Sequence, residues 1–477
     1  MRHMGSLASA RLGARGLWRG EQKAYLLSYV EARSASGAEQ TYFLPLALAW
    51  ESGDENVLRT AEWTLAKVRE HARAGVLIDA FADPGFCISI ANAVAANSRQ
   101  PFAGGELRFE RMAARPVFTQ SDLSAVEHLG PEPTNTSVIL GDALFLKAYR
   151  RAEPGPSPDV EMTSFLTRSG FNSIAALAGV VTHAAEHETV LAALFLRVGH
   201  QGDVWNYALN HLERFAAGPD AQGVAAASPH ELFATQMHTL GRRLGEMHAL
   251  LAHAVDDPAF APEPVNTADL ARWYSVTHFL AEQVLQTLQQ RLLALPDAAR
   301  APTEELLSRR ERLFGRIREL CSEPLAALKT RHHGNLHLGK VLLVANDVLM
   351  TGFEGNVSLP IDERRRKDSP LHDVATLLRS FDYARAAALE HATIGRPDLR
   401  ERLEPALADW LQVTRAAFLA GYRRGVGDAR HLPESQSDVT RLLTLFQLAH
   451  ALRETRNELE SRPAWVGTPV AALLALI

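Results

Sequence analysis

RHHGNLHLGKVLLVANDVLMTGFEGN, residues 331–356, is the stretch on which the fold turns. It opens on three histidines, His332, His333 and His337, set around the pair Gly334-Asn335, and it closes on Phe353-Glu354-Gly355. Taken alone, Gly334-Asn335 is an ordinary turn, because both residues tolerate left-handed backbone. The histidines alone suggest a metal site, but no further ligands stand around them at metal-binding spacing.

The 477 residues suggest roughly three structural units at about 150 residues each. A hydrophobic fraction of 47% and a charged fraction of 22% describe a globular chain with a substantial core. Net charge is −5 with a pI near 6.5, which argues against nucleic acid as the main partner. The two cysteines, Cys87 and Cys321, imply no disulfide framework and fit a reducing cytosol, so a cytoplasmic location is expected. No uncharged apolar run reaches membrane-spanning length, and no signal peptide is read.

Three segments are expected. Residues 1–115 begin with KAYLLSYVEA and QTYFLPLALAW, which alternate as paired strands across SASGAEQ. WTLAKVREHA and GFCISIANAVAAN then carry helical spacing, and RQPFAGGELRFE supplies a glycine turn and a strand. Residues 116–205 contain PEPTNTSVILGDALFLKAYRR, two strand-like runs around the turn pair Gly141-Asp142. DVEMTSFLTR follows as a helix. His183-Ala-Ala-Glu186-His187 fits the H-x-x-E-H zinc-peptidase pattern, which needs a helix. Its strand-like flanks put the histidines in a hairpin turn instead. Residues 206–477 are nearly all helical, with apolar residues at three-and-four spacing.

In order and spacing the chain resembles the maltokinase branch of the aminoglycoside-phosphotransferase-like kinases. That family's loop runs H-G-D-x-H-x-G-Q, a strand hairpin, then D-F-E-G. His333, Gly334, His337, Gly339, Phe353, Glu354 and Gly355 match it. The resemblance implies an α+β, protein-kinase-like two-lobed fold: an N-terminal cap, a small lobe with an antiparallel sheet, and a mostly helical large lobe. It implies a Ser/Thr loop at Asn135, Thr136 and Ser137 over the phosphates of ATP, a phosphate-holding strand lysine at Lys147, and its partner Glu161. Asp373 is implied to brace the catalytic loop. His450, Arg453, Arg456 and Asn457 fall where the family holds its sugar.

The departures fall on the chemistry. Phosphoryl transfer needs an oriented hydroxyl, neutralised phosphate charge and bridging Mg²⁺. Asn335 stands where the family has its proton-accepting Asp, and an amide cannot take a proton. Lys340 and Gly352 stand at the metal-ligand positions, leaving Glu354 as the motif's carboxylate and Mg²⁺ without its usual oxygen ligands. Lys340 is expected to pair with Glu354; its other use is to lend its charge to nucleotide phosphates. The expected function is a maltokinase-like pseudokinase, impaired in ATP-dependent phosphorylation of maltose. It would act as a binding or assembly partner in trehalose, maltose and glucan metabolism, beside trehalose synthase or another α-glucan enzyme. The alternative is an active ATP-dependent sugar kinase with a rearranged metal site, taking maltose or another sugar.

Overall fold

The structure is a computed structural model that describes residues 6–20, 23–51, 61–112, 123, 125–130, 134–218, 229–253 and 256–477. The chain divides into two compact units, residues 1–199 with 357–364, and residues 200–356 with 365–477. The boundary expected near residue 115 lies outside the described residues.

The first unit is built on two antiparallel sheets. Strands β1 (Leu7–Arg19), β2 (Ala24–Ser34), β4 (Leu46–Trp50), β6 (Arg73–Asp79) and β5 (Thr64–Glu70) lie in that spatial order, with β3 (Glu39–Phe43) also paired to β2. Here one expectation fails. WTLAKVREHA is not a helix but β5 and the turn into β6, with His71 at φ +52°. Its apolar residues are spaced ambiguously, and pairing with β6 from Lys67↔Val76 to Glu70↔Arg73 settles the strand. Helix α1 (Pro84–Ala95) starts at Asp83, whose side chain accepts from the Gly85 N–H, with Pro84 in the first turn.

The second sheet is ordered β7 (Arg99–Phe102), β8 (Gly105–Arg111), β12 (Leu177–Ala184), β13 (Glu188–Leu196), β11 (Leu144–Tyr149), β10 (Asn135–Leu140) and β9 (Val126–His128). Helix α2 (Pro158–Arg168) connects β11 to β12. One apolar core serves both sheets: Trp18 from β1 stacks on Phe109 from β8 at 5.5 Å and meets Phe86 of α1 edge-on at 5.4 Å. His183 is buried in β12 and shares a hydrogen bond with the Tyr29 hydroxyl at 2.9 Å, while His187 is exposed in the turn before β13. The two histidines of the zinc-peptidase pattern therefore face different surroundings.

The second unit is helical apart from two short strand pairs. Its helices are α3 (Val204–Ala217), α4 (Glu231–Leu251), α5 (Thr267–Arg291), α6 (Asp297–Ser308) and α7 (Arg310–Leu320), then α9 (Leu371–Thr393), α10 (Arg400–Val426), α11 (Gln436–Ser461) and α12 (Gly467–Leu476). The short helix α8 (Ile361–Arg365) spans the return from the first unit. Strands β14 (Glu263–Pro264) and β15 (Leu328–Lys329) form one pair, β16 (Val341–Val344) and β17 (Asp347–Met350) the other. Helices α4 and α10 approach backbone to backbone through Gly241 and Gly245 on one side and Gly421 and Gly425 on the other. That contact fixes what both helices carry to the loop at 331–340.

Candidate active-site loop

The loop hangs on one carboxylate. Asp373, in the first turn of α9 and 1% exposed, accepts from the backbone N–H of His333 at 2.7 Å and of Gly334 at 2.9 Å. His248 of α4, fully buried, lies with Nε2 3.1 Å from the same carboxylate and Nδ1 3.0 Å from the Tyr422 hydroxyl of α10. A carboxylate only accepts, so His248 donates through Nε2, and its Nδ1 accepts a hydrogen bond from the Tyr422 hydroxyl. Burial pushes the Asp373 carboxyl upward, but the hydrogen bond from His248 and the surrounding imidazoles outweigh it and hold the group well below the usual carboxylate range. Asp373 is thus an ionised pin joining α9, α4, α10 and the loop. His333 completes the seat: its Nε2 lies 3.0 Å from the Thr351 carbonyl, and its ring packs 4.6 Å from Phe353.

Gly334 sits at φ +78° and carries the turn. Asn335 follows half-buried, and its side chain makes no hydrogen bond among the described residues. The His337 ring covers Gly339, where an added Cβ would meet Nδ1 at 3.2 Å. Hairpin β16–β17 is anchored to α4 by Arg243, whose Nε donates to Asp347 Oδ1 at 2.9 Å.

Lys340 folds back over the end of this hairpin. Its Nζ donates to the Gly352 carbonyl at 2.9 Å. A Cβ built on Gly352, which has φ +73°, would lie 3.2 Å from that Nζ and 3.4 Å from both Cδ and Cε. The lysine therefore occupies the space into which a side chain at 352 would project. That is the test for the divalent cation implied by the kinase pattern, and the residues present do not fit one. A fixed ammonium stands where an anionic ligand would have to start, and no group of three or more His, Cys, Asp or Glu is arranged to hold a metal among the described residues.

In the first unit, Lys147 is 7% exposed and donates to Asp159 Oδ2 at 2.8 Å, which also accepts from the Tyr149 hydroxyl at 2.8 Å. Asp159 is a partner of Lys147 that the sequence did not single out; Glu161, the expected partner, lies half-buried two residues further along α2. The segment expected to form a phosphate-covering loop is instead strand β10. Asn135 and Ser137 are buried and paired in register with Tyr149 and Lys147, and Thr136 accepts from Arg150 Nε at 2.7 Å. The cross-strand ladder to β11 wins over the loop-like Ser/Thr composition. The preceding residues 131–133 lie outside the described residues.

A third group gathers beside the loop in the second unit. The His372 ring stacks on Phe446 of α11 at 3.7 Å and lies 6.0 Å from His332 and 5.8 Å from His450. His450 Nε2 is 3.0 Å from Thr376 Oγ1. Phe446, His450, Arg453 and Asn457 follow one another along a single face of α11. Burial drives the imidazoles down, His333 to about 4, His372 to about 3 and the distant His431 to about 3. All are neutral in the fold at pH 7.

A pH prediction follows. The unfolded chain protonates these histidines below about 6.5 while the folded chain does not. Stability is therefore full above that pH and falls as pH drops toward 4. Each histidine contributes a slope of up to about 1.4 kcal/mol per pH unit. Urea midpoints should fall steadily from pH 7 to pH 4.5, and His431→Leu should flatten the fall. Midpoints that stay level across that range would contradict the neutral-histidine account.

No family model matches the chain. Among curated proteins it is similar to the glucosamine kinase of Streptacidiphilus jiangxiensis, 27% identical over 354 residues covering 72% of each chain. It is similar to that of Mycolicibacterium smegmatis as well, 28% identical over 351 residues, covering 72% of this chain and 78% of the relative. Among solved structures, a glucosamine kinase in complex with glucosamine, ADP and inorganic phosphate superposes with a TM-score of 0.65 at 24% identity, covering 100% of this chain and 96% of that one. A second glucosamine kinase crystal form gives 0.64 at 23% identity, covering 98% and 92%. These similarities overturn the maltokinase resemblance. It rested on the loop frame and hairpin order, which reflect the phosphotransferase scaffold, while the positions facing the sugar had already departed from it. The maltose acceptor and the trehalose-synthase partner lose their basis with it. What the comparisons show is the α+β, kinase-like fold of those structures, a β-rich N-terminal unit followed by a mostly helical one, in a chain similar in sequence to glucosamine kinases.

Proposed function

We propose that the chain is an ATP-dependent sugar kinase with a rearranged metal site. The observation that carries this reading is Lys340 lying against Gly352, within a loop whose bracing by Asp373 is complete. The frame is kept in order and a positive charge is kept in the cation's place. In this reading a sugar hydroxyl attacks the γ-phosphorus of ATP, the bond to ADP breaks, and the hydroxyl proton leaves to water, since Asn335 cannot take it. Asn335 orients that hydroxyl. Lys340 offsets phosphate charge. Lys147, held by Asp159 and followed on α2 by Glu161, is the first unit's candidate for phosphate contact. The names of the relatives make glucosamine the first acceptor to assay.

Asn335 also favours a second reading. Losing a positioned base typically lowers rate about 10²–10⁴-fold, which would leave a nucleotide- and sugar-binding protein with negligible turnover. The test is ADP release across glucosamine, glucose and maltose, run with Mg²⁺ and with EDTA, alongside calorimetry of ATP binding. The proposal expects slow sugar-dependent ADP release, and ATP binding that survives EDTA. In Lys340→Gln, binding in EDTA should weaken roughly tenfold or more, as for loss of one charged hydrogen bond. ATP binding without any ADP release would favour the second reading. Absence of nucleotide binding under every condition would end both.

A further inference from the structure

The face of α11 beside the loop carries His450, Arg453 and Arg456, and neither guanidinium has a direct partner among the described residues. Arg453 is half-buried on α11 and makes no hydrogen bond or ion pair among the described residues, and the same holds for exposed Arg456 one turn on. The nearby carboxylates are already committed. Asp368 accepts from Arg272 at 2.8 Å, from the Trp273 indole at 2.9 Å and from the Ser369 N–H at 2.8 Å. Glu454 takes both Nε and Nη2 of Arg379, at 3.0 and 2.7 Å. Around Arg453 stand His450 and His372, each depressed first by burial and then in part by that guanidinium, and His332, whose Nδ1 is buried without a partner. Burial and the nearby Arg456 weigh against the Arg453 charge, while Asp368 and Glu454 favour it from a distance without pairing to it directly. A partly desolvated guanidinium with no direct partner has donors to spare, and its planar fork suits an oxyanion.

We infer that this face takes an acidic sugar, one bearing a phosphate or a carboxylate, held by Arg453 with Arg456 at its edge. The imidazoles of His332, His372 and His450 supply hydrogen-bonding groups for the sugar hydroxyls, and Phe446 backs His372. An ammonium on the sugar would meet two guanidinium groups, with the described carboxylates Asp368 and Glu454 already hydrogen-bonded to Arg272 and Arg379. The chain thus differs in acceptor charge from what its relatives' names suggest. This inference rests on the sugar-kinase reading above.

The experiment is calorimetry on the full chain with ADP present, using glucose, glucosamine, glucuronate and glucose 6-phosphate. At least one acidic sugar should bind about tenfold or more tighter than glucose, as expected for a charge-assisted forked contact, with glucosamine weakest. Glucuronate against glucose 6-phosphate tells carboxylate from phosphate. Arg453→Gln should abolish the preference and Arg453→Lys should keep part of it, while the melting temperature of each variant reports that the fold is retained. Glucosamine binding as tightly as glucose, or a preference for acidic sugars unchanged in Arg453→Gln, would overturn the inference. If ADP binds and no acidic preference appears, the inference fails and the kinase reading stands. If neither ADP nor any sugar binds, the kinase reading fails and takes the inference with it.

Discussion

Replacing Asn335, Lys340 and Gly352 together by Asp, Gln and Asp should raise Mg²⁺-dependent phosphoryl transfer by about 10²–10⁴-fold, the range expected for regaining a positioned base. Asn335→Asp alone should change it little. The reason is steric as well as chemical. A side chain at 352 starts 3.2 Å from Lys340 Nζ, so Gly352→Asp by itself would place a carboxylate against the ammonium rather than a metal. Exchanging Lys340 for the shorter, neutral Gln clears that space. The φ of +73° at residue 352 is one that Asp adopts more readily than most side chains, so the backbone need not move. The measurement is kcat with Mg²⁺ and with EDTA for the single, double and triple variants. A triple variant no faster than Asn335→Asp would show that these positions are not where metal-dependent turnover was lost.

Gly421→Ala should destabilise the second unit by about 3 kcal/mol or more, among the largest effects of a single methyl in this chain. An added Cβ would lie 1.9 Å from the His238 carbonyl oxygen across the α4–α10 contact. Gly425 would meet the Arg242 carbonyl oxygen at 2.0 Å, Gly241 that of Phe418 at 2.0 Å, and Gly245 that of Tyr422 at 2.4 Å. These neighbours are backbone, so a rotamer change relieves nothing and the helices must part. The damage should reach the loop, because α4 carries His248 and Arg243 and α10 carries Tyr422. Thermal unfolding and ligand calorimetry on Gly421→Ala should show both losses together. Gly315→Ala is the control. That glycine lies in α7 with nothing within 4 Å of its added Cβ, and the exchange should stabilise by about 0.5–1 kcal/mol. A Gly421→Ala protein as stable as the parent would mean the helices are not packed as closely as described.

Much of the scaffold was legible because it is written in local chemistry. The Gly141-Asp142 turn, the alternating runs before it and after it, and the helix carrying Asp373 each follow from residues a few positions apart. WTLAKVREHA was misread for the same reason. Its local spacing suits a helix well enough, and only pairing with Arg73–Asp79 makes it a strand. Asp159 went unnoticed because nothing local separates it from Glu161; it takes the fold of β11 beneath α2 to bring it to Lys147. The glycines of GRRLG and GYRRG carry no local signal of contact; the two helices touch through them only once the chain is folded.

The sequence by itself led to the kinase-like fold and to the proposal that Asn335, Lys340 and Gly352 stand at reactive positions of the loop at 331–356, because residue identity at fixed spacing is all that such a reading requires. It also led toward the maltokinases, since a shared scaffold repeats the same short motifs whatever the acceptor. Only the tertiary structure decided what those substitutions amount to. Lys340 fills the space over Gly352, Asp373 is pinned by His248 and Tyr422 from two other helices, and the carboxylates near Arg453 are hydrogen-bonded to Arg272 and Arg379 instead. Each of these depends on groups brought together from distant parts of the chain. The free energy of a charge is set by its neighbours in space, and a linear sequence does not contain that information.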